Sequence, residues 1–198
     1  MSDSDNTQRN LDGKVVSILK RSFARLGVLP ILLVLAVIIF TLLSENFLTT
    51  RNLVNVARQS TYLIVVALGQ MVALITGGID LSVGVTVALS SVLSALAMST
   101  LVTIIPESTG LVISAGILVG FLGATAMGLA NGIGVAFFGV SAFMMSLGLT
   151  SVGFGIALYL TSGVPVKGMP EAFGSIFGFG TFGGIPVPIY ITIGLICL

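Results

Sequence analysis

The stretch Gln70-Met-Val-Ala-Leu-Ile-Thr76-Gly77-Gly78-Ile79-Asp80-Leu81-Ser82-Val83-Gly84-Val-Thr86-Val-Ala-Leu89 decides the fold. Two apolar runs meet there, separated only by adjacent glycines and one acid. A helix crossing a bilayer needs ~20 apolar residues. The runs on either side, Thr61–Gly77 and Leu81–Ile104, are of that order. Each therefore reads as a transmembrane helix, and the Gly77-Gly78 pair as the break between them. Working outward, Leu26–Ser44, Gly110–Leu129 and Ala142–Leu160 have the same character, and a sixth apolar run starts near Ile185. The expected fold is an all-α integral membrane protein: a polytopic bundle with five full transmembrane helices and the start of a sixth. Because the sixth run stops inside apolar sequence at Leu198, the chain is expected to be the N-terminal part of a larger protein.

Composition agrees. Apolar residues make up 56% of the chain and charged residues 8%, against roughly 25% charged in an average soluble domain. So few charges cannot cover a water-facing surface. Asp3, Asp5, Arg9, Asp12, Lys14, Lys20, Arg21 and Arg25 sit in the first 25 residues, whereas only Asp80, Glu107, Lys167 and Glu171 lie between Gln59 and Tyr190. The organisation expected is a polar head over 1–25 and a transmembrane domain over 26–198. No small-x-small cleavage site follows the first run, which reads as an uncleaved helix rather than a signal peptide. The net charge of +1 points to no nucleic-acid partner.

Orientation follows from basic residues. Placing the head inside puts Arg9, Lys14, Lys20, Arg21 and Arg25 there, against Arg51, Arg58 and Lys167 outside, so the N-terminus is expected in the cytoplasm. Glu45–Ser60 mixes Arg51, Asn52, Asn55 and Arg58 with Phe47, Leu48, Leu53 and Val54 and reads as a short interfacial amphipathic helix. Ser162–Pro188, rich in Pro and Gly, reads as a structured outside loop with a short helix near Pro170–Phe177.

Chemistry on a substrate is not expected. There is no histidine and one cysteine, Cys197, so neither a disulfide framework nor a His/Cys metal cluster can form within the chain. No P-loop is present, so this chain alone is not expected to hydrolyse ATP. Gly178-Phe-Gly180-Thr-Phe-Gly183 matches a dinucleotide pattern in letters only, because no βαβ unit surrounds it.

The candidate functional residues are polar groups inside apolar helices. Asp80 is the only acid between Glu45 and Glu107. It stands before the third helix, where a carboxylate can cap free N–H groups, and an acid near membrane depth can also contact cargo. Gln70, mid-helix, and Asn131, at the end of the fourth helix, need hydrogen-bond partners, either a neighbouring helix or a polar cargo. Ser82, Thr86, Ser90 and Ser94 share one face of the third helix, although hydroxyls can bond back to their own helix. A substrate path lined by Gln70, Asp80, Ser82, Ser90 and Asn131 is expected. Gly77, Gly78, Asp80 and Gly84 mark the break. Gly116, Gly120, Ala124, Gly128 and Gly132, at steps of four, form a ladder that lets another helix approach closely.

The run Ala67 to Gly84, and above all Gly77-Gly78-Ile-Asp80-Leu-Ser82-Val-Gly84, resembles the signature of membrane permeases from bacterial ABC importers for monosaccharides, of the ribose, xylose and galactose type. Glu45-Asn-Phe-Leu-Thr-Thr-Arg-Asn-Leu-Val-Asn-Val56, Ala130-Asn-Gly132, Phe143-Met-Met-Ser-Leu-Gly148 and the loop around Pro165 are similar too. The resemblance implies a bacterial inner-membrane subunit that pairs with a second permease subunit. It also implies two cytoplasmic ATPase subunits and an extracytoplasmic sugar-binding protein as partners. Alternating access would carry a neutral monosaccharide, with no cofactor in this chain. Two other readings compete: an ion-coupled secondary transporter, for which Asp80 is nearly the sole titratable candidate, and a truncated membrane protein that does not transport.

Overall fold

The computed structural model describes residues 27–197; the polar head expected over 1–25 lies outside them. The chain divides into two compact units, one up to Leu53 and one from Val54 onward. In the first, helix α1 covers Leu29–Leu43. Pro30 falls in its first turn, where a missing N–H costs nothing. The helix is apolar on every side and buries no residue, the pattern of a segment solvated by lipid. Its 15 residues rise about 22 Å, short of the ~30 Å hydrocarbon core. Phe40 stacks on Phe47 beyond its end, with ring centroids 5.7 Å apart. Asn52 then donates to the Phe47 carbonyl at 2.7 Å, which fixes the entrance of the next helix.

Helix α2 runs unbroken over Thr50–Ile75. The sequence suggested a separate interfacial helix followed by a span from Thr61. Instead the two are one helix, because no Pro or Gly interrupts residues 50–68. Four described helices are long and apolar enough to cross a membrane: α2, α3 (Val83–Ile104), α4 (Thr109–Ala136) and α5 (Ala142–Thr161). The first and sixth expected spans are represented by the shorter apolar helices α1 and, at the end of the chain, Val187–Ile196.

Helices α3, α4 and α5 pack on one another around Val85, Leu89, Met127 and Ala157, with Val92, Leu93 and Leu149 partly buried against them. The small-residue ladder divides into two parts. A Cβ on Gly120 would stand 2.9 Å from the Ser90 carbonyl oxygen and 3.1 Å from Ser94 Cβ, and one on Gly116 would collide with the Met98 side chain. These two glycines let α4 lie against the α3 face that carries Ser90, Ser94 and Met98. Around Gly128 and Gly132 there is open space. Gly153 of α5 completes the packing, since a Cβ there would meet Val85 and Met127. Outside this core the large apolar side chains, among them Leu118, Phe121, Leu129, Phe154 and Leu158, are exposed, as hydrocarbon solvent permits.

After α5 the chain turns at Ser162 and Gly163, both with positive φ. A helical turn, α6 (Glu171–Phe173), passes into a π-helical turn over Gly174–Gly178, where the short helix was expected. A two-residue antiparallel hairpin follows: β1 (Thr181–Phe182) pairs with β2 (Ile185–Pro186), Thr181 opposite Pro186. Helix α7 (Val187–Ile196) is tied back to it by the Tyr190 hydroxyl, which donates to the Phe182 carbonyl at 2.9 Å.

Candidate functional site

The break between α2 and α3 is built by three local devices. Gly77 adopts φ +81°, a conformation that costs a residue with a Cβ but not glycine. Its N–H donates to Leu74 O at 3.0 Å, and the Gly78 N–H reaches Ala73 O at 3.1 Å. Two of the last α2 carbonyls are thereby satisfied. Asp80 then folds the chain back: its Oδ1 accepts from the Ser82 N–H at 2.7 Å and from the Ser82 hydroxyl at 2.6 Å. Ser82, buried, gives its carbonyl to the Thr86 N–H at 2.8 Å, and α3 begins.

Helix α5 holds the break from the side. The Ser146 hydroxyl reaches the Ile79 carbonyl at 3.5 Å, and Thr150 Oγ1 reaches the Leu81 carbonyl at 3.2 Å. A Cβ on Gly78 would lie 3.2 Å from Ala142 Cβ. The sequence did not single out Ser146 or Thr150 as site residues; the signals were two hydroxyls four residues apart on an apolar helix and the place of Ser146 in the Phe143–Gly148 stretch.

These elements wall a cavity of about 340 Å³ lined by Ala73, Thr76, Gly78, Ile79, Asp80, Asn131, Gly132, Val135, Ala136 and Ala142. Its walls come from the C-terminal ends of α2 and α4, the break, and the first residue of α5. Of the expected path residues, Asp80 and Asn131 meet here, together with Gly78 and Gly132. The others do not. Gln70 lies farther back on α2, half-buried. Ser82 is committed to Asp80. Ser90 bonds back to Val87 O at 3.0 Å and belongs to the α3–α4 contact. Gly77 and Gly84 shape the break without lining the cavity.

Two polar groups differ in their state. Asp80 has donors for one oxygen. Asn131 Oδ1 is buried and has no hydrogen-bond partner among the described residues, an unusual condition for an acceptor away from water. Thr76 adds a hydroxyl, itself bonded to Ala73 O at 2.8 Å. The cavity lining therefore carries one amide, one carboxylate and apolar walls, with no cationic side chain among its residues. No cluster of three or more His, Cys, Asp or Glu able to hold a metal exists among the described residues.

The family model described as "Branched-chain amino acid transport system / permease component" matches residues 52–191, well over half of the chain and including every residue of the cavity. The chain belongs to this permease family. Among similar proteins, the ribose import permease protein of Bacillus subtilis (strain 168) is 33% identical over 162 residues, covering 79% of this chain and 46% of that protein. The D-allose transport system permease protein of Escherichia coli (strain K12) is 38% identical over 69 residues, or 35% of this chain and 21% of that protein. The ribose import permease protein of the same strain is 44% identical over 64 residues, covering 32% and 20%. The chain spans about half the length of the Bacillus permease it matches. No solved structure matches it significantly. Membership in a membrane permease family accounts for the four span-length helices and for the lipid-suited exterior.

Proposed function

We propose that this chain supplies part of the translocation path of an ATP-driven importer for a neutral monosaccharide. The observation that carries the reading is its similarity to a ribose import permease over 79% of its length, with D-allose and a further ribose permease alongside. The cavity chemistry supports the same cargo class. A sugar presents hydroxyl groups, each a donor and an acceptor, and the Asn131 amide in the cavity lining can pair with such groups. In this reading Asp80, Asn131 and Thr76 line the path, and the helices alternate between an inward-open and an outward-open packing. ATP hydrolysis belongs to separate cytoplasmic subunits and high-affinity capture to an extracytoplasmic binding protein. A second permease subunit completes the pathway in the bacterial inner membrane, with the N-terminus of this chain inside.

The family description names a second cargo class, branched-chain amino acids. A zwitterion needs both a cation and an anion partner when it leaves water, and the cavity lining contains only Asp80. Ion coupling is less favoured for a related reason: Asp80, the acid such a mechanism would use, is engaged in closing the break.

Reconstitution of the full subunit that carries this chain, with its ATPase and binding-protein partners, tests the proposal. ATP-dependent uptake of labelled D-ribose, competed by D-allose and not by leucine, is expected. ATP-dependent leucine uptake would establish the amino-acid reading instead. Uptake driven by a proton gradient without ATP would establish ion coupling.

A further inference from the structure

We infer that Ser146 and Thr150 are positioning residues: they tether the Ile79–Leu81 break to α5 and so hold Asp80 at the cavity. The need for a tether arises from the break itself. Among the described residues, neither the Ile79 nor the Leu81 carbonyl accepts a backbone N–H. A backbone carbonyl outside a helix or sheet ladder needs a donor from elsewhere, and a side-chain hydroxyl that reaches it can supply one. The donors that reach these two carbonyls are the Ser146 hydroxyl, at 3.5 Å, and Thr150 Oγ1, at 3.2 Å. Ser146 is fully buried, so its hydroxyl has no alternative in solvent.

The geometry also explains why the tether can act without being part of α5's own framework. Each hydroxyl has a second acceptor within its helix: Ser146 lies 3.2 Å from Phe143 O and Thr150 2.8 Å from Ser146 O. A hydroxyl carries one hydrogen, which it divides between the helix and the break. Removing the hydroxyl therefore leaves the break carbonyls short of a donor, whereas the helical N–H···O ladder of α5 is untouched. The close approach of Gly78 and Ala142 on the same side places the break at packing distance, where a shift of one side is felt by the other.

The inference rests on the reading of the cavity as part of the path only where transport is concerned; the tether itself can be read without cargo. On a Cys197→Ser background, Gly78→Cys with Ala142→Cys gives a pair whose Cβ atoms start 3.2 Å apart, a few tenths of an ångström short of disulfide geometry. In membranes, copper-phenanthroline oxidation should cross-link this pair quickly. Adding Thr150→Val with Ser146→Ala should slow cross-linking roughly three- to tenfold, the range set by about one net hydrogen bond. Thr150→Ser, which keeps the hydroxyl, should leave the rate unchanged.

In the reconstituted transporter without the cysteine pair, Thr150→Val should lower ATP-dependent uptake at saturating binding protein severalfold, and Thr150→Ser should restore it. An unchanged cross-linking rate in the hydroxyl-free variant overturns the tether. Slower cross-linking with unaltered uptake upholds the tether and counts instead against the cavity as the sugar path.

Discussion

A single carboxylate oxygen of Asp80 receives both donors of Ser82, the backbone N–H at 2.7 Å and the hydroxyl at 2.6 Å. The acid thus acts on the residue that precedes α3 and not on the first helical turn proper. Its role in this geometry is that of an acceptor, and an amide oxygen can fill it. Asp80→Asn is expected to keep the break at a cost of about 1 kcal/mol, since a neutral acceptor makes weaker hydrogen bonds than a charged one. Asp80→Ala removes the acceptor from a buried N–H and hydroxyl and should cost about 1–3 kcal/mol. Detergent-solubilised melting curves separate the two. Ribose uptake by Asp80→Asn within about twofold of the parent is expected on the same ground; abolished uptake with intact stability would show that the charge itself is used.

Gly77 carries the other half of the break. At φ +81° any residue with a Cβ is strained, although the space around it is open. Gly77→Ala should therefore destabilise by about 1–2 kcal/mol through backbone conformation alone. Gly77→Asn should cost less than Gly77→Ala, because asparagine tolerates the left-handed region better. Equal melting points for the two variants would mean that the segment adopts a different turn.

The ladder on α4 yields a contrast within one helix. Gly120→Ala places a methyl 2.9 Å from the Ser90 carbonyl, a backbone atom that cannot swing aside. The two helices must separate, at a cost of about 1–3 kcal/mol. Gly128→Ala meets nothing within 4 Å and gains helix propensity of up to about 1 kcal/mol. Equal loss in both variants would indicate that another helix covers Gly128.

How much of this was legible in the sequence depended on what each residue needs. The four long helices were readable because lipid imposes a length and an apolar composition, and the chain between Thr61 and Leu160 obeys both. Their ends were less so: α2 begins eleven residues before the expected Thr61, because polarity there marked an interface without marking a break. The Gly77-Gly78-Ile79-Asp80 turn was readable from residue types alone, since paired glycines and a lone acid have few other uses inside apolar sequence. Which small residues face a neighbour was not. Gly116, Gly120, Gly128 and Gly132 are indistinguishable by spacing, and only the crossing of α3 and α4 divides them. The same crossing turned the Ser90–Ser94 face toward α4 and away from any path. Ser146 and Thr150 escaped attention because a hydroxyl in an apolar helix satisfies itself locally, and its second acceptor lies 67 or 69 residues away.

Asn131 provides the sharpest test of the cavity. Its Oδ1 is buried without a partner among the described residues, and such a group costs about 1–3 kcal/mol. Under the proposed function the Asn131 amide meets the sugar rather than a neighbouring helix. Asn131→Leu, of similar volume, removes the unsatisfied oxygen and should leave the protein as stable or more stable, by up to about 1–2 kcal/mol. The same variant should lower ATP-dependent ribose uptake at saturating binding protein by up to roughly tenfold, the value of one lost hydrogen bond to a neutral hydroxyl. Melting curves and uptake kinetics on one preparation read both quantities. Loss of stability with proportional loss of uptake would mean that the amide has a helix partner in the membrane, and Asn131 would then leave the path.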